Sequence, residues 1–152
     1  MAMALTSVRL FAAAALLGAA ASAAHALEYK SVGAAPAVMY DAPSERGRKV
    51  FVAPRGMPVE IVLTYGDWSK VRDVAGDLLW VQSKLLAPQR MIVVKTANAR
   101  IHAAADDSSP VVFTAERSVL LEMVEPVTSG WVKVRHRDGL TGFAKAPDVW
   151  GE

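Results

Sequence analysis

The side chains able to move protons or hold metals are few. His102 and His136 lie far apart in the C-terminal half, and His25 falls in an N-terminal apolar stretch. A hydrolase triad needs Ser, His and an acid in register, yet no G-x-S-x-G occurs. Asp106-Asp107-Ser108-Ser109 lacks the spaced ligand ladder and terminal Glu of a calcium loop, and reads as a polar hairpin loop. His136, between Arg135 and Arg137, reads as a solvated loop histidine. The chain has no cysteine, which excludes a thiol nucleophile, a disulfide framework and a zinc knuckle. No P-loop or dinucleotide fingerprint occurs. A net charge of +2 over 152 residues is too small to argue for nucleic acid. The expectation is therefore no catalytic residue, no metal and no cofactor: a binding protein and not an enzyme. The remaining candidates are the aromatic residues, which stack on apolar or sugar-like groups.

Those aromatics are positioned by elements that occur twice. Trp68-Ser69-Lys70-Val71-Arg72 recurs as Trp131-Val132-Lys133-Val134-Arg135, and Gly76 and Trp80 map onto Gly139 and Phe143. Upstream, Val50-Phe51 maps onto Val112-Phe113 and Val59-Glu60 onto Leu121-Glu122, with a shift smaller by one. The extra residue is expected in the turn Thr128-Ser129-Gly130, because turns tolerate length change best. The loop after Tyr40 is expected to align at a shift of 60 or 61. A tandem duplication places unit one at residues 27–88 and unit two at 89–152.

Short β-branched runs predict strands at Val59–Leu63, Trp68–Arg72, Leu79–Val81, Met91–Lys95, Val111–Thr114, Val119–Val124, Trp131–Arg135 and Thr141–Ala144. Ser83–Leu86 and Ala146–Val149 read as a single turn before a last short strand. No long 3.6-residue periodicity appears after residue 27. So many short strands favour closed barrels, which leave no exposed edge.

Residues 1–26 have a different character: Arg9, the apolar run Leu10–Leu17, then small residues ending Ala24-His25-Ala26. This is the three-part pattern of a secretory signal peptide, with cleavage expected after Ala26. An uncleaved anchor is the alternative. The expected location is periplasmic or secreted, with no membrane span after signal removal.

The ordered motifs resemble bacterial Src-homology-3-like (SH3b) domains. Unit two carries Asn98-Ala99-Arg100, Arg117-Ser118-Val119-Leu120-Leu121, Trp131-Val132-Lys133-Val134 and Gly139-Leu140-Thr141-Gly142-Phe143-Ala144. Unit one carries Tyr40-Asp41-Ala42-Pro43-Ser44, Arg55-Gly56-Met57-Pro58-Val59, Trp68-Ser69-Lys70-Val71 and Gly76-Asp77-Leu78-Leu79-Trp80-Val81. It departs from the pattern at Leu79, where a second glycine is usual. The resemblance implies an all-β chain of two tandem small SH3-like β-barrels after the signal peptide. Gly76, Gly139 and Gly142 suit turns with positive φ, and Lys70, Arg72, Lys133 and Arg135 should face solvent.

The resemblance also implies a binding groove between the first long loop and the turn before the Trp strand. In unit one those elements hold Tyr40, Asp41, Arg46, Tyr65, Asp67, Trp68 and Trp80. The ligand-binding candidates are Tyr40, Asp41, Tyr65, Trp68 and Trp80, with a poorer second groove around Trp131 and Phe143. Tyr40, Trp68 and Trp80 could equally fill small cores. Arg46, Arg48 and Lys49 read as a solvated loop. The function implied is a monomeric envelope module that binds peptidoglycan or its peptide stems. The alternative is an adaptor docking on a periplasmic protein.

Overall fold

The computed structural model describes residues 26–152, so the signal-peptide stretch lies almost wholly outside the described residues. The strands are β1 (Glu28–Val32), β2 (Ala37–Tyr40), β3 (Lys49–Ala53), β4 (Pro58–Tyr65), β5 (Trp68–Arg72), β6 (Leu78–Gln82) and β7 (Leu86–Ala87). Then come β8 (Met91–Val94), β9 (Asn98–His102), β10 (Val111–Glu116), β11 (Leu120–Thr128), β12 (Trp131–Arg135), β13 (Thr141–Lys145) and β14 (Val149–Trp150). One-turn 3₁₀ helices at Ser83–Leu85 and Ala146–Asp148 precede β7 and β14, as the sequence suggests.

The chain is all-β: two antiparallel seven-stranded sheets, ordered β3-β2-β6-β5-β4-β1-β7 and β10-β9-β13-β12-β11-β8-β14. Each order repeats the other strand for strand. Each sheet curls around one core: Val32, Met39, Val59, Val71 and Val81 in unit one, and Ile92, Ile101, Leu121, Val132 and Val134 in unit two. The hydrogen-bonded ladders do not close into barrels, since β3 and β7, like β10 and β14, remain the ends of their sheets. Pro54 and Pro110 flank the edge strands β3 and β10, and each edge carries an irregular register with its partner. Such features discourage pairing with another chain where closure does not.

Three strands carry little sequence signal. β1, β2 and β9 contain Glu, Lys, Ala and Asn, residues depleted in strands, and they form because neighbouring strands claim their backbone. Ala37 and Ala99 are fully buried, contributing to packing despite weak strand preference.

The duplication is more regular than the sequence indicates. Asp41 N–H donates to Arg48 O, and Ala103 N–H donates to Pro110 O; Gly47 N–H donates to Ser44 O as Ser109 N–H does to Asp106 O. The first loop therefore aligns Tyr40 with His102 throughout, without the shift of 60 or 61 expected from residue identities. The extra residue of unit two is not in the β11–β12 turn either. Tyr65 faces Trp68 and Thr128 faces Trp131 across two-residue turns in both units. The insertion lies inside β11, which has 9 residues against 8 in β4. Between Glu125 and Thr128 the register with β12 shifts, at Pro126, which has no N–H to give the ladder.

Gly142 also differs from expectation. It is a buried strand residue, not a turn residue. A Cβ there would lie 2.6 Å from Ile101 Cγ2 and 2.7 Å from His102 O, so close approach of β9 excludes a side chain. Gly76 and Gly139 do adopt the positive φ expected, at 91° and 95°.

Candidate functional site

On β5 the side chains alternate: Ser69 and Val71 enter the core, while Trp68, Lys70 and Arg72 take the outer face. Cross-strand partners share a face, so Lys70, Trp80 and Tyr40 form one row across β5, β6 and β2. Trp68 and Gln82 form the next row. Tyr65, two-thirds exposed, sits beside Trp68 across the turn. Tyr40 meets the Trp68 ring edge-on, with centroids 5.4 Å apart and planes at 88°. Lys70 Nζ lies 5.8 Å from the centroid of Trp80. None of these indoles fills the core, which is built from smaller aliphatic residues.

Trp68 closes one end of a groove of about 570 Å³ between the first loop and the β4–β5 turn. It is lined by Pro43, Ser44 and Arg46 of the first loop, Asp67 of the β4–β5 turn, and Gln82 and Ser83 at the end of β6. Tyr40 is 8% exposed and acts as the support holding Trp68 upright. Asp41 does not line the groove. Its carboxylate accepts from Arg48 N–H at 2.8 Å and Arg48 Nε at 3.3 Å, tying the two ends of the loop. Trp80 and Tyr65 flank the groove on the same face without lining it. Ser44, Glu45, Gln82 and Ser83 also line the groove and were not among the ligand-binding candidates. Gln82 Nε2 donates to Glu45 Oε1 and fastens the loop to β6. The polar pair Gln82-Ser83 directly after an alternating strand was the available signal.

Unit two repeats this arrangement with different chemistry. His102 takes the place of Tyr40 and meets Trp131 edge-on at 5.4 Å. Its Nδ1 is 3.1 Å from Ser109 O, and because a carbonyl can only accept, Nδ1 carries the proton. Phe143 takes the place of Trp80 in the row His102–Phe143–Lys133. Lys145, in the place of Gln82, lies 5.7 Å from the Trp131 ring and is paired with Asp107 on the first loop. An ammonium group thus lies near the Trp131 ring where unit one has the Gln82 amide near Trp68.

The basic strand residues are solvated as expected, but not free. Arg72 Nη1 donates to both Glu60 oxygens at 2.9 Å, and Arg135 Nε to Glu122 at 3.0 Å. That donation holds the Glu122 carboxyl below the usual range. The Asp106 loop is self-contained: its carboxylate accepts from Ser108 N–H and Oγ–H, which lowers its pKa. His136 is half-buried against Phe113, with Nδ1 3.0 Å from Asp138. Among the described residues, no three His, Cys, Asp or Glu side chains group as a metal site requires.

Two solved structures are similar to this chain, NlpC1 and NlpC2 from Trichomonas vaginalis, at 12% and 10% identity and a TM-score of 0.39 each. The alignments cover 88% and 84% of this chain, which spans about half the length of each, 49%. No curated protein sequence matches. A family description, bacterial SH3 domain, matches twice, at residues 33–88 and 93–151, so that each match falls on one of the two sheets. Two copies of the domain, each with its Trp at the start of the same strand, make this chain a member of the bacterial SH3 domain family.

Proposed function

We propose that this chain is a non-catalytic module of the cell envelope that binds peptidoglycan, or its peptide stems, in the groove of unit one. The observation that carries this is the Trp68 groove: an indole held upright by Tyr40, beside hydrogen-bonding groups from Asp67, Arg46 and Ser83. A flat apolar face bordered by donors and acceptors suits a ligand with alternating apolar and amide or hydroxyl surfaces. Export by the N-terminal segment would bring the module to that ligand. Unit two, with Lys145 over Trp131, serves mainly as support.

A second reading, docking on a periplasmic protein, draws on the exposed Leu63 and Tyr65, which extend the Trp68 face along β4. Co-sedimentation with purified sacculi separates the two. The wild-type chain should pellet with sacculi, and Trp68→Ala should lower the pelleted fraction about tenfold or more, as loss of a stacking anchor does. A folded wild-type protein that stays in the supernatant removes the peptidoglycan reading. One dominant protein cross-linked through Tyr65 would then favour the adaptor.

A further inference from the structure

A second concavity is larger than the Trp68 groove. A cleft of about 970 Å³ lies between the units. Arg55, on the β3–β4 turn of unit one, lines one side; Arg135, His136 and Arg137, at the β12–β13 turn of unit two, line the other. Met91, Val119 and Leu120, all partly buried, supply an apolar lining, and Gln89, between β7 and β8, adds an amide. Three guanidinium groups face one carboxylate, Glu122, and Arg135 is already engaged with it. Among the described residues neither Arg55 nor Arg137 has an ion-pair partner.

The cleft thus carries excess positive charge contributed by both units, beside the partly buried side chains of Met91, Val119 and Leu120. Arginine's planar fork matches a carboxylate, and a pair of forks from opposite walls discriminates a terminal carboxylate from its amide. We propose that the inter-unit cleft is a second binding site, for the C-terminal carboxylate of a short peptide, which Arg55 and Arg137 hold from opposite units. The peptide stem lies along Met91, Val119 and Leu120. This site is separate from the Trp68 groove, and neither depends on the other.

Titration calorimetry with acetylated tetra-alanine, as the free acid and as the C-terminal amide, tests the assignment. The acid should bind at least about tenfold tighter than the amide, the difference expected for losing a charge-assisted contact. Arg55→Gln and Arg137→Gln should each weaken the acid by a similar factor and flatten its salt dependence. Both arginines are solvent-exposed, so these variants keep the fold, which circular dichroism verifies. Trp68→Ala should leave this affinity unchanged while lowering sacculus binding, which separates failure of this site from failure of the groove. Equal binding of acid and amide, or no binding of either, overturns the proposal. So does wild-type affinity in both arginine variants, loss of affinity in Trp68→Ala, or inorganic phosphate binding as tightly as the peptide.

Discussion

At the residue scale, the two copies expose which positions the backbone dictates. Gly56 has φ of 81° and donates its N–H to Val32 O at 2.8 Å; Ser118, its counterpart, has φ of 72° and donates to Val94 O at 2.8 Å. The turn between the third and fourth strands of each unit demands the left-handed region, where a Cβ crowds the following carbonyl. Serine tolerates this at a cost, so Ser118→Gly should raise stability by up to about 1 kcal/mol, the strain relieved less the extra unfolded-state entropy of glycine. Urea unfolding at constant m-value checks it. An unchanged or lower midpoint would show that the side chain stabilises the turn by another route. Gly142 carries the opposite lesson. Its place in G-x-x-G-F suggested a turn, but the constraint is the Ile101 side chain and the His102 backbone pressing on it from β9. That contact joins residues far apart in sequence, so no local pattern announces it. Asp41 was likewise legible as a groove-loop residue, while its pairing with Arg48 depends on how the loop closes.

At the scale of elements, strands whose two faces differ were legible and those held by neighbours were not. β5 and β12 announce themselves because Trp, Lys and Arg alternate with Ser and Val. β1, β2 and β9 are held mainly by their ladders to β4, β3 and β10, and their sequences say little. The repeated irregularities are equally silent in sequence. Register shifts between Ile61 and Leu63 and between Met123 and Glu125 occupy the same place in both units, whereas the shift at Pro126 belongs to unit two alone. If Pro126 is a surplus residue, its deletion should give β11 the register of β4. The shortened chain should fold with the same circular dichroism spectrum and a Tm within about 4–8 °C of the parent, corresponding to roughly 1 kcal/mol for a small domain. Deletion of Val134, whose side chain is fully buried in β12, inverts the faces beyond it and should abolish folding. Equal loss in both variants would mean that β11 needs its extra length.

At the scale of the whole molecule, the question is how two small sheets without disulfides hold together. Tyr29 on β1 meets Trp150 on β14 edge-on, with centroids 5.3 Å apart. Arg90 in the linker lies 5.4 Å from the Tyr29 ring and donates Nη2–H to Gly151 O at 2.9 Å. Ser31 Oγ donates to Gln89 O at 2.8 Å, and a Cβ on Gly151, where φ is 107°, would lie 3.1 Å from Pro58 Cβ of unit one. The last residues of unit two are thus clasped by the first strand and fourth strand of unit one. The sequence shows only that the two units are directly adjacent, because the partners in this junction, Tyr29 and Trp150, lie far apart along the chain. Burial, with Glu60 and Glu152 nearby, raises the pKa of Tyr29 above 10.0, although Arg90 and Arg72 oppose the shift. The unfolded phenol therefore ionises before the folded one. Its contribution to stability is complete below about pH 10 and falls away as pH rises through the folded value. Absorbance at the phenolate band should show one tyrosine titrating late in the wild type and absent in Tyr29→Phe. Trp150→Ala, which admits water to the ring, should bring that titration back toward the ordinary range. If Tyr29→Phe loses stability above pH 10 as steeply as the wild type, the alkaline sensitivity lies elsewhere and the clasp is not its source.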